Sequence, residues 1–427
     1  MEVHLLWMLL IVVALASYLN YRYLRLPPMI GLIVIALVLS GMVALAGHLG
    51  LVDVSATLKP LSEFDFSRVL LHGMLAYLLF AGALNVDLRQ LRSEAWPVGM
   101  LATAGVFATA FIAGFLFWII ARYVGIELPY AYALVFGALI APTDPIAVNG
   151  IMKQVNAPSG FRMRVAGESL FNDGIGVALF VAALSLATHS TQESLAAMSL
   201  YFVWEACGAV LVGFACGWIV YKLLATVDQY TVEIMLTLAL AGGVYGLAEA
   251  IHVSAPIAVV VAAVVIGNFG RASAMSETTR LHLDTFWELI DEILNGMLFV
   301  LIGLEVLLLH LSAVGLREGL MAMGAIAAVL VARALGVVAS ASLLTRVLPR
   351  GRIVALTWAG MRGGISIALA LSIPQSPYRY LIIICTYCVV VFSIVVQGLT
   401  LGPLLRALCS PRTGVERPRD EHPVPKF

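Results

Sequence analysis

Apolar runs long enough to cross about 30 Å of hydrocarbon recur along the whole chain, separated by short polar stretches. Thirteen stand out, near 4–20, 28–47, 68–86, 97–121, 129–150, 165–187, 200–224, 232–250, 254–270, 288–310, 317–345, 353–373 and 379–405. Each predicts a membrane-spanning helix, because a helix satisfies its own backbone hydrogen bonds where no water is available. The expected fold is an all-α polytopic membrane protein with about 13 transmembrane helices. Residues 1–409 form one transmembrane domain, and residues 410–427, rich in Pro and charge, read as a short disordered cytoplasmic tail.

Composition strengthens this reading. Of 427 residues, 61% are hydrophobic and 12% charged, far from the roughly 25% charged of soluble domains. The net charge is zero and no polar stretch is long enough for a soluble domain, so nothing points to a nucleic-acid partner. Eighteen Lys and Arg fall in loops and tail on one side of the predicted spans and five on the other. That bias places the N-terminus outside and the C-terminus in the cytoplasm, in the cell (inner or plasma) membrane. No Lys or Arg precedes the first apolar run, which reads as a span rather than a signal peptide. Cys385 and Cys388 in "CTYC" share a helix face and read as packing residues; no metal or redox partners stand beside them, and no cofactor is expected.

Against this background a few polar residues need a reason. The fifth span contains "APTDPIAV", which puts Asp144 between Pro142 and Pro145. The prolines remove two amide donors and break the helix, leaving carbonyls near Ala138 and Ala141 without helical partners. Carbonyls and a carboxylate at membrane depth suit a cation stripped of its water. The sixth span contains "GESLFNDGIG", with Glu168, Ser169, Asn172 and Asp173 within one and a half turns. Glu168 and Asn172 share one face and Ser169 and Asp173 an adjoining one, so the cluster is expected to meet one neighbour. The glycines after it are expected to let another backbone approach closely.

The twelfth span carries a second interruption, "WAGMRGGISIALA", with Arg362 before Gly363 and Gly364. Arg333 is the other basic residue inside a span. Counted from the cytoplasmic ends, Asp144, Asp173 and Arg362 lie roughly 10 to 15 Å deep, near the middle of the hydrocarbon. If spans 1–6 and 8–13 are inverted repeats about span 7, the two interrupted spans, 5 and 12, correspond and cross near the midplane. Paired broken helices of that kind describe a secondary transporter.

At these motifs the chain resembles the NhaP-type sodium/proton antiporters of the cation:proton antiporter superfamily, relatives of animal sodium/proton exchangers. "APTDPIAV", "GESLFNDGIGVALF", "SAPIAVVVAAVVIGN", "FWELIDEILNGMLFVLIGLE" and "WAGMRGGISIALALSIP" fall in family order over roughly residues 25–405. The resemblance implies that Asp173 binds either cation or proton, with Asp144, Ser169 and Thr143 completing a sodium site and Asn172 beside it. It implies a structural ion pair between Glu168 and Arg362, a modulating role for Arg333, and a homodimer in lipid with a mobile core. Sodium is the expected cation, with lithium and potassium as alternatives. Asn172, in place of a second acid, leaves one titrating carboxylate in the pair and predicts electroneutral one-for-one exchange. One departure is Ala81 in "LLFAGAL", where many relatives carry Glu.

Two other readings remain at this point. Two membrane aspartates on adjacent spans could activate water as an intramembrane aspartyl protease, although Asp144 is locked between prolines. A passive cation channel would use the same oxygens without coupling to protons.

Overall fold

The structure is a computed structural model; it describes residues 2–49, 69–155, 157–188, 195–271, 274–305, 315–342 and 350–409. The expected tail, 410–427, lies outside the described residues. Among those described, every regular element is helical and there is no strand. In chain order the α-helices are α1 (Glu2–Leu19), α2 (Pro28–His48), α3 (Leu75–Leu84), α4 (Leu88–Ser93), α5 (Ala95–Met100), α6 (Val106–Val124), α7 (Tyr130–Ile140), α8 (Ile146–Gln154) and α9 (Ser159–Thr188). They continue with α10 (Leu195–Leu224), α11 (Tyr230–Ala250), α12 (Ala255–Val265), α13 (Glu277–Glu305), α14 (Leu316–Ser342), α15 (Arg350–Ala359), α16 (Gly364–Leu371), α17 (Arg379–Phe392) and α18 (Gly398–Cys409).

Among the described residues, eight helical stretches are long and apolar enough to cross a membrane, or nine if α15 and α16, bent by 47° at their break, make one span. Shorter apolar helices occupy Val69–Leu84, Tyr130–Ile140 and Ala255–Gly270. α13 carries its charged residues up to Glu292 and again at Glu305, and the stretch between these two falls within the run expected near 288–310. Side chains that would be misplaced in a soluble protein cover the outside: Leu211 is 71% exposed, and Trp7, Ile11, Phe111, Trp204 and Ile219 also point outward. In lipid no hydrophobic force drives such groups inward, and close packing and hydrogen bonds between helices do the holding.

Two interruptions shape the interior. α7 stops at Ile140, two residues before Pro142, and α8 resumes at Ile146, directly after Pro145. The rings supply no N–H to continue the ladder, so residues 141–145 leave the helix. Between α15 and α16 the chain is extended through Gly363, with φ −129° and ψ −158°. The two breaks lie against each other, and the Asp144 N–H donates to the Met361 carbonyl at 2.8 Å. α9 runs unbroken beside them, packed on α7 on one side and on α12 on another.

Candidate functional site

The cluster on α9 splits between two neighbours instead of meeting one. Ser169 Oγ donates to the Thr143 carbonyl. Asn172 Nδ2 donates to Thr143 Oγ1 at 2.7 Å, and its Oδ1 accepts the Thr143 N–H at 3.4 Å. Glu168 turns the other way, to α14, where Arg333 donates from NH1 to Oε1 and from NH2 to Oε2, the latter at 2.9 Å. All of these residues are buried.

This corrects the expected pairing of Glu168 with Arg362. Arg333 is the partner, and its planar fork meets the carboxylate at two points. Gly360 makes room for it, since a Cβ there would lie 2.3 Å from Arg333 Nε. Arg362 instead uses NH1 to donate to the Ala141 and Pro142 carbonyls, each at 2.9 Å. The physical reason lies in the breaks: carbonyls in the broken fifth span need donors, and the Arg362 guanidinium is a multidentate donor close by. The expected free carbonyls are therefore engaged, and Ala138 accepts from the Ala141 N–H at 3.3 Å. The glycines after Asp173 also differ from expectation, because side chains rather than a backbone press on them. A Cβ on Gly176 would lie 2.1 Å from Pro142 Cγ, and one on Gly174 would lie 2.5 Å from Ile257 Cγ1.

Asp173 has no such engagement. It is 5% exposed, and its Oδ1 is buried without a hydrogen-bond partner. A buried carboxylate oxygen left unpaired is costly and calls for a ligand or a proton. Asp173, Asp144 and Thr143 together line a cavity of about 1400 Å³. Asp144 is held over the second break by the absence of a side chain at Gly363, where a Cβ would fall 1.9 Å from Asp144 Oδ2. Ala81 of α3 also lines this cavity and is itself buried. Exposed Arg22, Arg25, Lys153 and Arg162 also contribute to its wall.

Some contributing residues were not singled out from the sequence. Ser393 Oγ accepts the Arg362 N–H at 2.9 Å and itself donates to Gln397 Oε1. Gln397 Nε2 donates to the Trp358 carbonyl at 3.3 Å, tying the last span to α15. Their signal was two polar residues four apart in an otherwise apolar run. Glu288, Asp291 and Glu292 of α13 add carboxylates to the cavity wall. Asn295 Nδ2 donates to Asp291 Oδ1 at 2.9 Å.

Two broken helices in contact at their breaks, beside a buried acid that lines a large cavity, define the class of ion-coupled membrane transporters. The chain belongs to the family of transmembrane sodium/hydrogen exchangers, whose model matches residues 9–407. It is similar to the Na(+)/H(+) antiporter NhaP of Pseudomonas aeruginosa, at 47% identity over 401 residues covering 92% of this chain and 94% of that one. Against the Na(+)/H(+) antiporter NhaH of Halobacillus aidingensis the identity is 35% over 378 residues, covering 88% and 91%. The fold matches that of the sodium proton antiporter MjNhaP1 from Methanocaldococcus jannaschii with a TM-score of 0.75 over 96% of this chain and 99% of that one, at 21% identity.

Proposed function

We propose that this chain exchanges sodium for protons across the cell membrane by alternating access, one for one and without net charge movement. The observation that carries this is the unpartnered, buried Asp173 oxygen on a cavity that Thr143 and Asp144 also line, with Ser169 held on the Thr143 carbonyl. A carboxylate there is satisfied by a sodium ion or by a proton, and not by both. Competition for one group is enough to couple the two gradients. In this conformation the cavity leads to the cytoplasm, with the N-terminus outside.

The remaining site residues divide by role. Asp144 supplies a second carboxylate, Ser169 and Thr143 supply oxygen, and Asn172 positions Thr143. Glu168 with Arg333, and Arg362 with the crossed breaks, hold the core. Thirteen spans in two inverted repeats, and a homodimer in lipid, complete the proposal. Lithium and potassium remain competitors for the site. Family membership disfavours proteolysis, and a group that must be neutralised by one ion or the other disfavours a passive channel.

Asp173→Asn tests the assignment. Sodium-driven proton flux in proteoliposomes should vanish while the protein remains folded and at normal yield. Retained exchange by well-folded variant would sink it.

A further inference from the structure

One wall of the large cavity is a single face of α13. Asp284, Asp291 and Leu298 line it two helical turns apart, with Glu288 between the first two. The two ends of this row differ. The Asp284 side chain is 41% exposed and is taken by Arg271, whereas Leu298 is 2% exposed and packs at the second break, where a Cβ on Gly364 would lie 2.3 Å from its Cδ1. Gly363, which faces the Asp144 carboxylate, is the residue before. Asp291 therefore stands halfway along the wall, about 10 Å along the helix from each end.

Asp291 is set apart from the other acids of this wall. Glu288 and Glu292 are exposed, while Asp291 is half-buried and its Oδ1 accepts a hydrogen bond from Asn295 Nδ2 at 2.9 Å. Asn295, one turn deeper, is 0% exposed, and its own Oδ1 is buried without a partner. An amide oxygen left unsatisfied in the interior is costly, so this side chain is committed to orienting one carboxylate at the expense of its own bonding. Among the described residues no ion pair engages Asp291. The charges near enough to act on it are those of Asp144, Glu292 and Lys153, two of them negative. An acid fixed in place, partly withdrawn from water and facing two further acids, calls for a cation beside it.

We propose that Asp291, oriented by Asn295, is a second binding site for a monovalent cation, on the cavity wall about two turns before the breaks. The proposal takes its cation from the exchange reading above. A sodium ion at Asp291 offsets the repulsion among Asp291, Glu292 and Asp144, and it raises the sodium concentration beside Asp173. Asn295 is a positioning residue: its amide engages Oδ1 of the acid and leaves Oδ2 to the ion.

The test uses the full chain carrying Asp173→Asn, so that the transport site is out of play, and reads the broadening of the sodium NMR resonance by purified protein in detergent, with choline chloride holding the ionic strength. Asp173→Asn should still broaden the resonance, and adding Asp291→Asn should remove most of that effect. Glu277→Gln, which takes the same charge from an exposed position of α13 outside the cavity, should leave it unchanged. No broadening by Asp173→Asn, broadening that survives Asp291→Asn, or an equal loss with Glu277→Gln overturns the second site. If the Asp291→Asn protein does not accumulate, Asn295→Ala in the same background should halve the broadening, and an unchanged signal overturns the proposal. Flux separates this outcome from the exchange reading. With Asp173 intact, Asp291→Asn should raise the apparent KM for sodium about fivefold on the cavity's face of the membrane and leave the opposite face unchanged, measured in right-side-out and inverted vesicles. An equal change at both faces, or none, overturns the second site and leaves exchange standing; absence of exchange by the parent protein overturns the exchange reading itself.

Discussion

Asn172 grips Thr143 from both ends of its amide, donating to Oγ1 at 2.7 Å and accepting the N–H at 3.4 Å. Ser169 adds a third bond, to the Thr143 carbonyl. One residue of the broken fifth span is thus held by α9 through its hydroxyl, its N–H and its carbonyl, and Asp144 follows it directly in the chain. Both ends of the Asn172 amide are thus spent on Thr143.

Replacing Asn172 by Ala should strip partners from two buried groups of Thr143, at about 1–3 kcal/mol each. The expected result is a lower melting temperature in detergent together with a raised apparent KM for sodium. Asn172→Asp keeps an acceptor for the N–H but adds a charge beside Asp173. Sodium accumulation by that variant should become sensitive to an imposed membrane potential, measured with a potassium gradient and valinomycin, whereas the parent protein should stay insensitive.

The Glu168 and Arg333 pair lends itself to a double-mutant cycle. Removing either partner leaves a buried uncompensated charge, which costs about 3–5 kcal/mol. Glu168→Ala and Arg333→Ala should each lower the melting temperature strongly, and the double variant should lose much less than the two effects added. Glu168→Ala with Arg362→Ala should come closer to additivity, because Arg362 bonds to carbonyls of the other break. Stronger coupling in the second cycle than in the first would reverse the assignment.

Gly363→Ala tests the close approach of the two breaks. Its backbone is extended, so strain is not the issue; the new methyl collides with the Asp144 carboxylate. Exchange should fall by about tenfold or more while helicity by circular dichroism is retained, since a small displacement at a binding group is costly. Gly319, where a Cβ would meet nothing within 4 Å, should accept Ala without effect.

The proposed competition at Asp173 predicts a pH dependence. Falling pH raises the proton occupancy of the carboxylate and so lowers the share open to sodium. On the acid limb the apparent KM for sodium should rise about tenfold per pH unit, with the maximal rate little changed. A KM independent of pH across that limb would show that proton and sodium use different groups.

The sequence by itself determined that this is a helical membrane protein, where two of its helices break and which acids lie inside its apolar runs. Those are local properties. Hydrocarbon length sets the apolar runs, Pro142 and Pro145 stop a helix wherever they fall, and a carboxylate inside such a run is unusual whatever surrounds it. Helical spacing also grouped Glu168 through Asp173 correctly on α9. What spacing could not decide was which neighbour each side chain would reach. Glu168 and Asn172 are four residues apart, yet one pairs with Arg333 and the other with Thr143, because two different elements approach that stretch of α9. Arg362 goes to backbone carbonyls that exist as acceptors only because a distant helix is broken, and Ser393 and Gln397 matter only because the last span lies against α15. Pairing at those positions depends on how helices far apart in the chain come to lie together, so it belongs to the tertiary structure.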